Sequence, residues 1–420
     1  MQLNDNRFSP AYLIIALHTA IAVFFFVFNP QGLNFPYGNG NGKFLDRADS
    51  YSDYIVRNTI KRNVLIEEDS SFFPIFTKGY KNNDYNFYVD NYIKYTSNLS
   101  LQTVPATIIA KALNFNTEKK LDMFFGLLRL AHALTFSLLL CTFLFYFCKS
   151  QQLKHHFLIP FLVGGSTGFV FFSQNLYFVS SLILMPAVLI AYQLCNYNRF
   201  SKVIVFMLGL VFFLRGYEFA TIFAILTGFS AALFASGNWQ NKAKLFAVAF
   251  GIICLSFVAA LFCHIVLVAA DTNWALSIAD SAKQAFSTVQ LRTSSFKNVG
   301  APFSPDFLFR IQQRWSMVAF SIIQTGFQIS QLGVILLMAF ILVLRLKTMS
   351  NIESMIFTYS VAGYLSWYVF AYQHIMWHVM YDWYIFALTV GLAFSLLMII
   401  YLNAGIELIL KFFKQGFKHV

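Results

Sequence analysis

Apolar segments of the length that crosses a bilayer recur along the whole chain. The 420 residues are 58% hydrophobic and only 11% charged, a composition far from that of soluble domains. A transmembrane helix needs about 20 mostly apolar residues. The sequence therefore predicts an all-α polytopic membrane protein, a single membrane domain over residues 1–420 with about ten transmembrane helices. The ten segments are 11–29, 123–147, 156–173, 177–194, 202–216, 218–236, 244–270, 318–344, 354–373 and 383–405.

Basic residues occur in every second connection between these segments. Such alternation follows the positive-inside rule, because Lys and Arg accumulate in cytoplasmic loops. It predicts that both termini lie in the cytoplasm, and it explains the net charge of +12 without nucleic acid as a partner. The basic residues concerned are Arg7, Lys149, Lys154, Arg199, Lys202, Lys242, Lys244, Arg345, Lys347, Lys411, Lys414 and Lys418.

Two long polar segments interrupt the apolar pattern, at residues 30–122 and 271–314. The predicted topology makes them the first and second extracytoplasmic loops. Ten of the eighteen acidic residues fall in the first. Because structureless loops of this length are uncommon, we expect the first to contain short helices of its own. Residues 100–113 are mildly amphipathic, which is typical of a helix lying on a membrane surface.

Three glutamines, Gln324, Gln328 and Gln331, are spaced for one helical face at the start of the eighth segment. Two interpretations remain open at this point. The residues begin a tilted eighth span, or they form an interfacial helix that leads into a shorter span.

Three ionisable residues, His374, His378 and Asp382, lie at i, i+4 and i+8 between two apolar segments. On a continuous helix they share one face. Ionisable residues at membrane depth are costly and normally line protein or water. Three interpretations are open: contacts to a phosphate or another part of a substrate, a metal site built on the histidine pair, or an interfacial helix end.

Three carboxylates, Asp46, Asp49 and Asp53, follow the first span and share a face if the segment is helical. Mutual repulsion and desolvation raise the pKa of at least one carboxyl in such a group, as a general base requires. The alternative is a solvated loop with a helix start, where Asp is common. We favour Asp49 as the base.

The segment Arg215-Gly-Tyr-Glu218 joins the fifth and sixth apolar segments and carries the only charges in a long apolar stretch. A guanidinium matches the geometry of a phosphate well, so Arg215 is a candidate phosphate ligand. The alternative is a buried ion pair with Glu218 that fixes the hairpin. A similar turn on the same predicted side contains Gln174 and Asn175.

A long first extracytoplasmic loop with acidic residues shortly after the first span, a core of about ten spans, and Arg and His at the outer ends of spans together resemble the GT-C class of integral membrane glycosyltransferases. Three stretches also look like bacterial membrane proteins of surface-polysaccharide modification, for which serotype-converting O-antigen glucosyltransferases are the nearest named comparison. These stretches are Asn175-Leu-Tyr-Phe-Val, Leu214-Arg-Gly-Tyr-Glu218-Phe, and the stretch from Ser366-Trp-Tyr-Val-Phe to Tyr384. The resemblance implies a bacterial inner-membrane enzyme that takes a sugar from a polyprenyl-phosphate donor and passes it to a lipid-linked or surface glycan at the periplasmic face. No P-loop and no dinucleotide fingerprint is present in the sequence, which fits a donor that arrives already activated.

The resemblance also implies roles for the candidate residues. An aspartate of the first loop (Asp49, or Asp46 or Asp53) deprotonates the acceptor, and Arg215, His374 and His378 neutralise the departing phosphate. A second layer around them is formed by Glu218, Asp382, Tyr217 and Asn175. No cofactor is expected, with a divalent metal kept as an alternative. Rival functions are a lipid-linked oligosaccharide flippase or transporter and an O-antigen polymerase or ligase.

Overall fold

Helices make up most of the computed structural model, which describes residues 10–30, 33, 50–66, 77–80, 92–95, 100–271, 276–293, 304–322 and 327–416. Short antiparallel strand pairs join them: β1 (Thr77–Tyr80) with β2 (Tyr92–Tyr95), and β3 (Val318–Ser321) with β4 (Gln328–Ser330). The helices are α1 (Pro10–Phe28), α2 (Ser50–Leu65), α3 (Thr103–Ala112), α4 (Glu118–Ser150), α5 (Ile159–Gly165), α6 (Thr167–Phe172), α7 (Ser181–Tyr197), α8 (Lys202–Arg215), α9 (Ala220–Phe234), α10 (Trp239–Asp271), α11 (Ile278–Thr293), α12 (Pro305–Trp315), α13 (Gln331–Arg345), α14 (Asn351–Phe370), α15 (Tyr372–Trp377), α16 (Val379–Phe386) and α17 (Leu392–Gly416).

Four helical stretches among the described residues are long and apolar enough to cross a membrane: α1, α4, α10 and the run from α16 through α17. Shorter apolar helices include α7, α9 and α13. The prediction of an α-helical membrane protein is thus confirmed. The number of spans and the side of each terminus stay predictions.

The third apolar segment is not one helix. It divides at Ser166, whose backbone is extended (φ −73°, ψ 110°) and separates α5 from α6. Ser166 forms an isolated antiparallel bridge with Phe320 of β3. Non-helical backbone at membrane depth is tolerated where protein covers it, and Ser166 is 1% exposed.

The eighth apolar segment also differs from both interpretations of its glutamines. Residues 318–330 contain the strand pair β3–β4, and α13 begins only at Gln331. The Ser330 hydroxyl accepts a hydrogen bond from the Gly333 amide at 3.1 Å, a cap that sets the helix start there. Gln328 and Gln331 therefore do not share a helix, and Gln324 lies outside the described residues.

The first polar segment contains its own helices, as expected. α2 packs against α3 and α4, and α3 is preceded by Ser100 in the left-handed region (φ 47°). Lys61 of α2 forms an ion pair with Asp122 of α4 (Nζ to Oδ1, 3.0 Å). Helices of this segment thus cover the first turns of α4.

The helical bundle has two chemically different ends. Lys149 near the end of α4 donates to Asn196 at 3.1 Å, and Lys154 pairs with Glu407 of α17 at 3.2 Å. Lys149 lies twenty residues after Arg129 on α4, which is about 30 Å along a straight helix. We call the end near Lys149 the basic end and the end near Arg129 the loop end.

At the basic end, α14 begins with a capping box. The Ser350 amide donates to the Glu353 carboxylate at 2.6 Å, and the Glu353 amide donates to the Ser350 hydroxyl at 3.2 Å. Arg345 and Tyr401 also donate to Glu353. This one carboxylate thus connects the start of α14 with α13 and α17.

Between α16 and α17 the helix passes through a π-helical segment, Ala387–Gly391. Tyr359 of α14 donates its hydroxyl to the carbonyl of Leu388 within that segment. A hydrogen bond from outside satisfies a carbonyl where the regular α-helical ladder is interrupted.

Two helices come into very close contact where α6 crosses α16. A Cβ atom added at Gly168 would lie 2.1 Å from the carbonyl oxygen of Trp383. Only glycine permits this separation, which holds α16 directly against the broken third segment.

Candidate functional site

A buried ion pair attaches the first polar segment to the loop end of the bundle. Asp53 of α2 accepts a hydrogen bond from Arg129 of α4 and one from the Leu176 amide at 2.9 Å. Nε of Arg57 lies 3.2 Å from the same carboxylate. Asp53 and Arg129 are both buried. The Asp53 carboxylate thus has the partners of a structural anchor, and its role as a base stays a prediction. The other two candidate bases, Asp46 and Asp49, lie outside the described residues.

The same arginine organises the turn between α6 and α7. Nη1 of Arg129 donates to the carbonyl of Gln174 at 3.1 Å, and Nε2 of Gln174 donates to the Phe26 carbonyl at 2.6 Å. The Asn175 side-chain oxygen accepts from the amides of Tyr177 and Phe178 at 2.9 and 3.0 Å. Asn175 therefore shapes the turn through its backbone contacts.

Arg215 and Glu218 lie beside this turn. Nη1 of Arg215 is 3.5 Å from the carbonyl oxygen of Tyr177 and 3.8 Å from Oε2 of Glu218, and the Tyr177 hydroxyl donates to Oε1 of Glu218 at 2.9 Å. The Arg215 guanidinium also lies over the rings of Phe212 and Phe178, 4.9 and 5.9 Å from their centroids. The structure therefore brings together two predicted residues, Arg215 and Glu218. Their separation of 3.8 Å fits the interpretation as an ion pair.

That pair does not use all of the guanidinium. Nε and Nη2 of Arg215 are buried and have no hydrogen-bond partner among the described residues, and the residue is 1% exposed. A buried donor without a partner costs about 1–3 kcal/mol, more when it is charged. The unused side of Arg215 is therefore suited to binding an anion.

An apolar cavity lies next to Arg215. Its volume is about 270 Å³, and it is bounded by α2, α3, α4, α7, α8 and the turn before α7. The polar lining side chains are Arg215, His132 and Gln102. The apolar walls include Val56, Ile60, Ile109, Leu128, Leu182 and Val211. A cavity with mostly apolar walls and a few convergent polar groups is the usual form of a ligand site.

Two residues with positive φ flank the turns beside the cavity. Val179, which lines it, has φ 45°, and Phe219, after Glu218, has φ 65°. A β-branched residue at positive φ is a genuine outlier, and such strain often occurs at ligand sites. The strained turns thus belong to the segments that position Arg215.

The His374, His378, Asp382 pattern does not form one helical face, so that prediction is wrong. The helix is interrupted at His378 (φ −110°, ψ 75°), which separates α15 from α16. Arg310 of α12 donates to the carbonyl of Met376 at 2.8 Å, an acceptor that a continuous helix would use internally. The position of the His374 side chain lies outside what the structure describes.

After this interruption, Asp382 faces α14. Its carboxylate accepts hydrogen bonds from Tyr368 at 2.6 Å and Tyr364 at 3.1 Å, and the charge of Arg314 acts on it. Asp382 and Arg314 are fully buried. Asp382 was predicted to lie behind Arg215 and the histidines. In the structure it instead contacts the two tyrosines of α14.

An aromatic layer lies between the two polar groups. Phe219 contacts Tyr384 and Trp367 with ring centroids 5.2 Å apart in both pairs. The Tyr381 ring lies 5.2 Å from Phe178 and 4.7 Å from His378. His378 thus approaches the Arg215 region through aromatic rings.

Tyr217 has its contacts elsewhere. Its hydroxyl lies 2.9 Å from Nδ1 of His264 and 3.4 Å from the Ala260 carbonyl on α10. These contacts join the α8–α9 turn to α10. The role of Tyr217 in a second layer around the phosphate ligands stays a prediction, which its nearness to Arg215 in the sequence suggested.

Three residues of the site were missed by the sequence analysis. Arg129 and His132 are ionisable residues within the second apolar segment, a position that itself suggests function. Gln102 has no comparable sequence signal, since a polar residue in a polar segment is ordinary. Within the described part of the chain, no group of three His, Cys, Asp or Glu side chains could hold a metal ion. No family model, no curated protein and no solved structure matches this chain.

Proposed function

We propose that this chain is an integral membrane glycosyltransferase of the bacterial inner membrane. It moves a sugar from a polyprenyl-phosphate donor to a lipid-linked or surface glycan at the periplasmic face. In this proposal the loop end faces the periplasm, about ten segments span the membrane, and both termini are cytoplasmic.

One observation carries the proposal: a buried guanidinium with unused donors at the wall of an apolar cavity. A polyprenyl phosphate has both matching parts, an anion for Arg215 and an apolar chain for the walls. Guanidinium groups bind phosphate oxygens in a planar, bidentate manner. Stabilising the charge that develops on a departing phosphate accelerates its release.

The test uses the full chain in proteoliposomes with a panel of polyprenyl-phosphate hexoses and glycan acceptors. We expect release of polyprenyl phosphate and transfer of the sugar, reduced about 100-fold or more by Arg215→Gln. Arg199→Gln, at an exposed arginine of the basic end, is the matched control and keeps full activity.

Two results would overturn the proposal. One is that the wild-type chain releases no polyprenyl phosphate from any donor in the panel. The other is movement of the intact donor between leaflets without transfer, which would favour the flippase alternative.

A further inference from the structure

His132 lines the same cavity as Arg215 from the opposite helix, α4. Its Nδ1 atom is buried and has no hydrogen-bond partner among the described residues, while the backbone of Asn175 is within reach of the imidazole. Gln102, the third polar lining residue, donates to the Tyr177 carbonyl at 3.0 Å, and its Oε1 atom is buried without a partner within the described ranges.

These groups differ in what they offer a ligand. Arg215 is a permanent cation and a donor, the imidazole of His132 can donate or accept a hydrogen bond and can gain a proton, and Oε1 of Gln102 is an acceptor. A phosphodiester to a sugar contains matching groups for all three, because its phosphate accepts hydrogen bonds and the hydroxyls of its sugar donate them. The cavity thus combines an anion-binding side with one acceptor for a hydroxyl.

The charged groups around the cavity indicate what His132 can contribute to anion binding. The Arg215 charge is offset by Glu218 at 3.8 Å. The charged groups that act on His132 are Asp53 and Arg129, which bond to each other, and Arg57 adds a partly exposed charge to Asp53. An anion that enters the cavity therefore meets one permanent cation whose charge is partly offset, and among the described lining residues His132 can add a second positive charge.

We infer that His132 is a second phosphate-binding residue, which takes up a proton as a lipid phosphodiester binds and returns that proton to the phosphate as the sugar departs. The inference rests on the proposed lipid-phosphate donor. In the transfer step, the bond between sugar C1 and the phosphate oxygen breaks and its electron pair stays on that oxygen. His132 protonates the phosphate, and the acceptor oxygen bonds to C1 as its own proton passes to a carboxylate base. His132 then regains a proton from water.

A binding experiment on the full chain in detergent tests the first half of this cycle. The probe is farnesyl methyl phosphate, a diester that lacks the second phosphate ionisation near pH 6 and so keeps one negative charge from about pH 5 to pH 8. For the wild-type chain we expect affinity to fall as the pH rises through this range, because binding takes up a proton at His132 and proton uptake becomes less favourable at higher pH. Farnesol, which lacks the phosphate, binds weakly at every pH.

Two variants at one position make the result specific. His132→Gln loses the pH dependence and binds the probe about 10-fold more weakly at the acidic end of the range. His132→Lys, with a lasting positive charge, binds the probe without that pH dependence. His155→Gln, at the basic end, is the control and retains the wild-type profile.

The inference is wrong if wild-type binding does not depend on pH, if His132→Gln keeps the wild-type profile, or if farnesol binds as tightly as the diester. Failure of the proposed function looks different, because the pH-dependent binding persists while no sugar is transferred. Conversely, sugar transfer with binding that does not depend on His132 overturns only the present inference.

Discussion

Nη1 of Arg215 and Oε2 of Glu218 lie 3.8 Å apart across the turn between α8 and α9. The separation exceeds that of a hydrogen bond, so the pair attracts by charge while the guanidinium keeps donors for another group. Tyr177 holds the other carboxylate oxygen of Glu218 at 2.9 Å. Glu218 therefore tunes the charge of Arg215 without occupying its binding side.

Replacing Glu218 by Gln should tighten the binding of an anionic lipid. The carboxylate cancels part of the Arg215 charge, and its removal leaves a stronger cation at the cavity. We expect the Kd for farnesyl phosphate to fall roughly 5- to 10-fold, measured by thermophoresis on the detergent-solubilised chain. Tyr177→Phe, which keeps the carboxylate charge, changes the Kd much less. Weaker binding by Glu218→Gln would contradict this role.

Removing either member of the Asp53–Arg129 pair should destabilise the chain strongly. Breaking a buried ion pair leaves one charge uncompensated and costs about 3–5 kcal/mol. Thermal unfolding of Asp53→Asn and Arg129→Gln measures the loss. The double variant should lose less stability than the sum of the two single losses, because it buries neither an unpaired carboxylate nor an unpaired guanidinium.

A second ion pair between the same two helices provides the control for that experiment. Lys61 of α2 and Asp122 of α4 are 3.0 Å apart, but Asp122 is 61% exposed. Exposed pairs contribute about 0–1 kcal/mol. Lys61→Gln should therefore shift the unfolding temperature little, and an effect as large as that of Arg129→Gln would argue against burial as the cause.

Gly168→Ala should be destabilising, because the new methyl group would meet the Trp383 carbonyl oxygen at 2.1 Å. We expect a loss of about 1–3 kcal/mol, visible as a lower unfolding temperature. Gly126→Ala on α4 is matched in chemistry, yet nothing lies within 4 Å of the added Cβ. It should leave stability unchanged or raise it by up to about 1 kcal/mol.

Asp382→Asn should weaken the junction between α14 and α16. The amide can still accept from Tyr364 and Tyr368, but it no longer carries the negative charge on which Arg314 acts. We expect a loss of about 3–5 kcal/mol, relieved in part when Arg314→Gln is added. Equal losses in the single and double variants would show that the charge of Arg314 is balanced elsewhere.

The carboxylate of Glu353 gives the basic end a pH dependence. Burial alone would raise the pKa of Glu353, but hydrogen bonds from Tyr401, Ser350 and Arg345 lower it from 4.5 to about 2. Its stabilising contribution is therefore complete above pH 4.5 and is lost as the pH falls toward 2. The difference in unfolding temperature between wild type and Glu353→Gln should shrink on acidification from neutral pH. A constant difference would contradict this assignment.

Local sequence rules predicted the helical membrane class and the helices of the first polar segment, because hydropathy and length act over short ranges. They failed at His378 and at residues 318–330, where distant groups decide the structure. Arg310 takes the Met376 carbonyl, and β3 pairs with Ser166 as well as with β4. Long-range partners of this kind leave no periodicity in a single sequence.

In the candidate site, too, local contacts could be predicted from the sequence and long-range contacts could not. The proximity of Arg215 and Glu218 follows from their spacing in a tight turn. The position of His132 across the cavity depends on how α4 and α8 each pack against α7, which sequence spacing does not encode. His378 belongs to a visible i, i+4, i+8 pattern of ionisable residues, whereas His132 has only Arg129 near it in an otherwise apolar segment.

The π-helical segment Ala387–Gly391 has a consequence for the orientation of the last long helix. One additional residue in a turn rotates everything beyond it by about 100°. Asp382 before the segment faces α14, and Asn403 after it holds the His155 carbonyl at 2.9 Å. Deleting a single residue here would rotate Asn403 relative to Asp382 about the helix axis, and one of the two contacts would be lost. The wide turn therefore sets the relative orientation of the side chains at the two ends of this helix.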